Sequence, residues 1–137
     1  MIVGAGPRKQ ESSSRITTKI LVVDQDPVIV TTLRTFLEGK GYDVVTASDG
    51  VEAVESVRHE QPKVVLLDIH TPKQRALEVL KAIKEYNKDI GVIMLTPVTD
   101  DEAGREALKL GAFDYVTKPF TLEYLDKVLW WTLKMME

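Results

Sequence analysis

The sequence contains no cysteine, no long hydrophobic run and no excess of positive charge. Without cysteine the chain forms no disulfide, no thiolate zinc site and no cysteine nucleophile. No apolar run approaches the roughly 18 residues of a membrane span, and residues 1–10 lack the basic start and apolar stretch of a signal peptide. Lys and Arg number 18 against 21 Asp and Glu, so the positive surface of a nucleic-acid binder is missing. We therefore expect a cytoplasmic protein that binds neither nucleic acid nor a membrane directly.

Length and composition are those of one folded domain. The chain has 137 residues, of which 44% are hydrophobic and 28% charged. Residues 7–18 include a single large apolar side chain, too little buried surface to offset the entropy of ordering. We predict a flexible leader over residues 1–18 and a folded domain over residues 19–137. Gly4 and Gly6 resemble half of a dinucleotide-binding fingerprint, but Lys9 occupies the third glycine position and no amphipathic helix follows.

From Lys19 onward, short apolar runs alternate with longer segments that have a helical pattern. The runs begin near residues 19, 43, 63, 91 and 112, and they read KILVV, YDVVTA, KVVLL, GVIML and AFDYV. Continuous apolar strands predict burial on both faces, as in a parallel sheet covered by helices on both sides. Five βα units in about 119 residues are too few to close an eightfold barrel. The pattern therefore predicts an α/β fold with a doubly wound, five-stranded parallel sheet.

The intervening segments each have one apolar face. The first is predicted to begin with Asp26 as the N-cap and Pro27 as the first helical residue, and to end at Gly39. Trp130 and Trp131 are adjacent on the last helix, so both cannot face the core, and we expect one to be exposed. The predicted apolar faces are Ile29, Leu33, Phe36 and Leu37; Ala53, Val54 and Val57; Leu77, Leu80 and Ile83; Ala103, Ala107 and Leu108; Leu122, Leu125, Leu129 and Leu133.

Chemically useful side chains follow the predicted strands. Asp24, Asp68, Thr96 and Lys118 each stand at a strand's carboxyl end, where ligands bind in open parallel sheets. Two carboxylates about 4 to 5 Å apart repel each other by about 3 to 4 kcal/mol at an effective dielectric constant near 20. Lys118 supplies one compensating charge. A magnesium ion held by one or two carboxylates and water would supply more, and this arrangement commonly serves phosphoryl chemistry.

Four ordered motifs resemble those of the receiver domains of two-component response regulators. They are ILVVDQDP, VVLLDIHTP, VIMLTP and DYVTKPF. The resemblance covers about residues 19–137. It implies a flavodoxin-like sheet with strand order 2-1-3-4-5 and five helices. It also implies a function in signal transduction that depends on phosphorylation.

The resemblance assigns a role to each motif. It implies that Asp68 accepts the phosphoryl group, that Lys118 neutralises the phosphate and that the hydroxyl of Thr96 is drawn toward it. Thr96 and Tyr115 then form the switch, because Tyr115 matches the aromatic residue that changes orientation on activation.

The same resemblance implies a magnesium site. Its ligands would be Asp24, Gln25, Asp68 and the backbone carbonyl of His70. Receivers usually carry a second acid where this chain has Gln25, whose amide oxygen coordinates without charge. We therefore expect Mg²⁺ to bind weakly.

Two further departures concern the loops beside the acceptor. Residues 73–76 read Lys-Gln-Arg-Ala, where the family tends to place small, turn-forming residues. Pro97 follows the switch hydroxyl, where the family usually has a small residue whose backbone N–H reaches the phosphoryl oxygen. Proline has no N–H, so this contact is absent.

Three functions are compatible with these residues. The first is a phosphoacceptor that takes a phosphoryl group from a sensor histidine kinase or a phosphotransfer protein and then switches partner binding. A second copy of the domain, forming a homodimer through helix four, strand five and helix five, is a further candidate partner. Self-dephosphorylation is compatible with the same residues. The second is a degenerate receiver that binds proteins without phosphorylation. The third is a haloacid dehalogenase-type hydrolase using Asp24-Gln25-Asp26, which lacks a later acid pair and room for a cap domain.

Overall fold

The computed structural model describes residues 17–71 and 75–137. Most of the predicted leader, the Gly4 and Gly6 pair and residues 72–74 lie outside the described residues. Strands and helices alternate along the described chain. The elements are β1 (Lys19–Val23), α1 (Pro27–Gly39), β2 (Asp43–Ala47), α2 (Gly50–Glu60), β3 (Val64–Asp68), α3 (Ala76–Tyr86), β4 (Gly91–Pro97), a 3-10 turn (Val98–Asp100), α4 (Asp101–Lys109), β5 (Asp114–Lys118) and α5 (Leu122–Met135).

The five strands form one parallel sheet in the order β2-β1-β3-β4-β5. This confirms the predicted fold class, strand order and number of helices within the described residues. Strands β3 and β5 begin at Val64 and Asp114, slightly later than the apolar pattern predicted. Lys63, just before β3, has an exposed side chain, and Asp114, the first residue of β5, is half-buried.

The core lies on both faces of the sheet. All five residues of β3 are buried, because side chains alternate between the two layers. One layer contains apolar side chains of α2, α3 and α4, and the other contains those of α1 and α5. The helices contribute Ala53, Val57, Val79, Leu80, Ile83 and Ala107 to the first layer and Leu33, Leu37, Leu125, Val128 and Leu129 to the second.

Helix α1 begins as its sequence predicts. Asp26 Oδ1 accepts the backbone N–H of Val28 at 2.9 Å, and Pro27 is the first helical residue. The side chain of Asp26 is therefore used as a helix cap. The chain enters α1 directly after β1, so this turn fixes where Asp24 and Gln25 stand.

Two details of the predicted helix faces are wrong. Leu108 is 40% exposed, because α4 turns Gly104 and Ala107 toward the sheet instead. Trp130 and Trp131 are both exposed, at 54% and 51%, rather than one of the two. Their ring centroids lie 5.2 Å apart in an edge-to-face arrangement.

No helix in the described part of the chain is long and apolar enough to cross a bilayer.

Candidate functional site

Two buried carboxylates lie side by side at the carboxyl edge of the sheet. Asp24 follows β1 and Asp68 ends β3, and these two strands are neighbours in register at Val23 and Leu67. Asp24 is 2% exposed and Asp68 is 3% exposed. Two buried anions need positive charge close by. Because the strand order places Asp24 and Asp68 next to each other, a cation is expected beside them.

Lys118 meets both carboxylates. Its ammonium Nζ donates to Asp24 Oδ2 at 3.0 Å and to Asp68 Oδ1 at 3.1 Å. Burial lowers the pKa of Lys118, but its hydrogen bonds and charge interactions with Asp24 and Asp68 outweigh burial and raise the pKa above its usual 10.5. The ammonium is therefore held charged in the site.

Backbone hydrogen bonds hold the Asp24 carboxylate and the loop that follows Asp68. Asp24 Oδ1 accepts the backbone N–H of Asp26 at 2.9 Å, which closes the turn after β1. The carbonyl of Asp68 accepts the backbone N–H of Thr71 at 3.2 Å and the Thr71 hydroxyl at 2.5 Å, which folds the loop after β3 back on itself. The two side chains are thus presented by short, hydrogen-bonded loops on a rigid sheet.

Thr96 stands on the adjacent strand, one residue beyond the pairing of Asp68 with Leu95. It is fully buried, and its hydroxyl oxygen has no hydrogen-bond partner among the described residues. A buried hydroxyl without a protein partner costs about 1 to 3 kcal/mol, so a water molecule or a ligand group that accepts its hydrogen bond would be favoured there. Pro97 follows it, opposite Lys118 in the sheet register.

The predicted metal ligands fit a hard cation with few protein ligands. Two carboxylates share one ammonium, which leaves the cluster of Asp24, Asp68 and Lys118 with a net negative charge. The side chain of Gln25 and the residue His70 are both exposed at this edge. Over residues 17–71 and 75–137 no group of three or more His, Cys, Asp and Glu side chains could hold a metal. The predicted ligands Asp24, Gln25, Asp68 and the carbonyl of His70 instead combine two carboxylates with neutral oxygen donors. Such a set suits Mg²⁺, which keeps several waters and takes one or two carboxylates.

Tyr115 lies apart from this cluster, on helix α4's side of the sheet. Its hydroxyl donates to Asp101 Oδ1 at 2.6 Å. The hydrogen bond to Asp101 is the main cause that raises the pKa of Tyr115 above 10.0. The structure therefore brings together Asp24, Asp68, Lys118 and Thr96, whereas Tyr115 is bound elsewhere.

An apolar groove of about 440 Å³ opens beside Lys118. Val28, on its rim, is 70% exposed. The sequence pattern gave no sign of this groove, because its walls come from α1 and from the segment after β5. It is lined by Val28, Ile29, Thr32, Leu33, Lys118, Pro119, Phe120 and Leu122.

Comparison with known proteins identifies relatives of this architecture. The family model described as response regulator receiver domain matches residues 20–129. The alkaline phosphatase synthesis transcriptional regulatory protein PhoP of Bacillus subtilis is 44% identical over 103 residues, which are 75% of this chain and 43% of that protein. The transcriptional regulatory protein ZraR of Klebsiella oxytoca is 40% identical over 110 residues, 80% of this chain and 25% of that protein. The chain thus spans less than half the length of these two regulators.

Solved structures agree with this assignment. The receiver domain of the Francisella response regulator 1452 superposes with a TM-score of 0.81 at 30% identity, covering 88% of this chain and 100% of that one. The chemotaxis response regulator CheY4 of Vibrio cholerae gives a TM-score of 0.80 at 31% identity, covering 85% of this chain and 99% of that one. The chain therefore belongs to the response regulator receiver domain family of two-component signal transduction.

Proposed function

We propose that the domain accepts a phosphoryl group on Asp68 from a phosphohistidine of a sensor histidine kinase or phosphotransfer protein. The observation that carries this proposal is the pairing of the buried Asp68 carboxylate with the Lys118 ammonium at 3.1 Å. A carboxylate in that position ends a strand at the carboxyl edge of the sheet and already lies next to a positive charge.

In the transfer, a carboxylate oxygen of Asp68 attacks the phosphorus of the phosphoimidazole. The new P–O bond forms as the P–N bond breaks, and the bonding electron pair stays on the imidazole nitrogen. If the other ring nitrogen of the phosphoimidazole carries a proton before transfer, the histidine side chain leaves as neutral imidazole. Lys118 stabilises the charge on the transferring group throughout.

Asp24, Gln25, Asp68 and the carbonyl of His70 would hold Mg²⁺ in this reaction. When bound, the ion supplies electrostatic stabilisation of the phosphoryl oxygens. Because Gln25 carries no charge, we expect this ion to be weakly held.

The apolar groove beside Lys118 is where we propose that the phosphodonor docks. Its walls are apolar, and Val28 on its rim is 70% exposed. A helical partner that covered this apolar surface would place its phosphohistidine at the sheet edge and exclude water from the reaction.

Once Asp68 carries phosphate, the hydroxyl of Thr96, which has no hydrogen-bond partner within residues 17–71 and 75–137, gains an acceptor. We propose that Thr96 moves to it and that Tyr115 reorients, which changes the surface made by α4, β5 and α5. That surface would then bind a partner or a second copy of the domain. The regulators similar to this chain are transcriptional, so we propose an output on transcription through a part of the protein other than this domain.

A second candidate is a receiver that binds partners without phosphorylation. Gln25 and Pro97 favour it, because one removes a charged metal ligand and the other removes a backbone donor. Intact mass measurement after incubation with a small phosphodonor and Mg²⁺ decides between the two. We expect the added mass of one phosphoryl group on the parent and on Asp114→Asn, the matched control at a half-buried aspartate, and none on Asp68→Asn. No added mass on the parent would favour the second candidate.

A further inference from the structure

Tyr115 rests on a glycine of helix α4. A Cβ atom built on Gly104 would lie 2.4 Å from Tyr115 Cδ2 and 2.7 Å from both Cε2 and Cγ. These distances are far shorter than any van der Waals contact. The aromatic ring therefore occupies space that any other residue at position 104 would fill, and its present orientation depends on that glycine.

The hydroxyl of the same ring is bound one turn earlier on the helix. Tyr115 donates to Asp101 Oδ1 at 2.6 Å, and Asp101 also forms an ion pair with Arg105. Asp101 and Gly104 are three residues apart, so they share a face of α4. Helix α4 thus holds Tyr115 at two points, the ring at Gly104 and the hydroxyl at Asp101.

The Tyr115 ring and the side chain of Thr96 share one face of the sheet. Tyr115 packs against the layer that contains Val92 and Met94, and Thr96 lies two residues beyond Met94 on the same strand. Tyr115 pairs with Met94 in register, and Thr96 pairs with Thr117. If the Tyr115 ring leaves α4, it therefore comes next to Thr96 by moving along this face of the sheet.

We infer that Asp101 and Gly104 form a latch that holds Tyr115 on helix α4, away from Thr96, and so opposes activation of the domain. This inference rests on the proposed function, because it specifies the regulation of the same site. When a phosphate on Asp68 draws Thr96 toward itself, space opens on the sheet face beside Thr96. The Tyr115 ring can move into that space only after it has lost its contacts with Gly104 and Asp101 of α4. The latch thus lowers the population of the active state, and the apparent affinity for a phosphate mimic falls in proportion.

Removal of the hydroxyl's acceptor tests the first contact. Asp101→Ala should raise the affinity of the Mg²⁺-loaded domain for beryllofluoride by about threefold to tenfold, because less of the protein is held in the latched state. Glu102→Ala is the matched control. It removes an exposed acidic residue from the same first turn of α4, which leaves Asp101 as the hydroxyl's acceptor. We expect no change in affinity for this control.

Gly104→Ala tests the second contact, since its Cβ displaces the ring. We expect it to raise beryllofluoride affinity in the same direction as Asp101→Ala. Gly39→Ala controls for the replacement of a helical glycine, because a Cβ at Gly39 meets nothing within 4 Å.

Nuclear Overhauser effects of the Tyr115 ring in the free protein report its position directly. In the parent we expect contacts from the ring to the Gly104 α-protons, and in Asp101→Ala weaker contacts there with new ones to the Thr96 methyl group. The latch is overturned if Asp101→Ala and Gly104→Ala leave both ring position and mimic affinity at the parent's values. If the parent binds no beryllofluoride, that result contradicts the proposed function and not the latch. In that case the position of the Tyr115 ring in Asp101→Ala, measured by its Overhauser effects, still shows whether the latch exists.

Discussion

Lys118 Nζ lies 3.1 Å from Asp68 Oδ1, although 50 residues separate them in the chain. The same ammonium donates to Asp24, so one positive charge is shared by two buried carboxylates. We expect the remaining negative charge to favour the binding of a further cation. Stability, metal binding and phosphorylation should therefore respond together to changes in these three residues.

Replacement of the ammonium should destabilise the fold. We expect Lys118→Met to lower the free energy of unfolding by about 1 to 3 kcal/mol in the absence of divalent ions, because two buried carboxylates then face each other. Since the lysine side chain is 24% exposed, solvent screens part of the effect. Added Mg²⁺ should stabilise the variant more than the parent. Urea unfolding with and without Mg²⁺ measures both effects.

Lys40→Met is the matched control for that experiment. Lys40 forms a surface ion pair with Asp126 at 3.5 Å, and such pairs contribute about 0 to 1 kcal/mol. Equal stabilisation of Lys118→Met and the parent by Mg²⁺ would mean that the ion does not bind between the carboxylates.

A charged ligand at position 25 should strengthen metal binding. We expect Gln25→Asp to raise Mg²⁺ affinity, because a carboxylate replaces a neutral amide oxygen beside Asp24. Titration with Mg²⁺ measures the change. Gln61→Asp adds the same charge at an exposed residue between α2 and β3, at the opposite edge of the sheet, and should leave affinity unchanged. Identical affinities for the parent and Gln25→Asp would place residue 25 away from the ion.

A backbone donor after Thr96 should favour the phosphorylated form. We expect Pro97→Ala to raise the extent of Asp68 phosphorylation or the affinity for beryllofluoride by about tenfold, because the alanine N–H provides a hydrogen bond to a charged oxygen. The combination with Gln25→Asp should raise it further. Pro62→Ala, at the amino edge of the sheet, is the control. Unchanged phosphorylation, lifetime and mimic affinity in Pro97→Ala would mean that the missing N–H has no effect on the phosphorylated form.

The hydroxyl of Tyr115 should titrate at high pH. Its hydrogen bond to Asp101 raises its pKa above 10.0 in the folded protein. A group whose folded pKa is raised stabilises the fold fully below the unfolded pKa, and that contribution disappears as pH rises through the folded pKa. We therefore expect the stability difference between the parent and Tyr115→Phe to decline above about pH 10.

Tyrosinate absorbance provides an independent reading of the same group. The difference between the titrations of the parent and Tyr115→Phe should show a midpoint above that of a free tyrosine, and Asp101→Ala should lower it. A midpoint at the free value in the parent would contradict the hydrogen bond.

The order of elements was predictable because burial on both faces leaves a continuous apolar run for each strand. The strands near residues 19, 43 and 91 begin where the pattern placed them. The errors lie on the helix faces. Leu108 and both Trp130 and Trp131 are exposed because the rotation of a helix about its axis is set by what it packs against, and for α4 that is a small-residue face at Gly104 and Ala107.

The sequence by itself determined the βα alternation, the cap of α1 and the presence of Asp24, Asp68, Thr96 and Lys118 at strand ends, because each follows from local pattern. Only the tertiary structure decided that one ammonium bridges both carboxylates, that the Thr96 hydroxyl has no partner among the described residues and that Tyr115 rests on Gly104. These contacts depend on strand order, on register and on the docking of α4 across many residues of chain. No local pattern encodes such distances, and they are the distances on which the proposed switch depends.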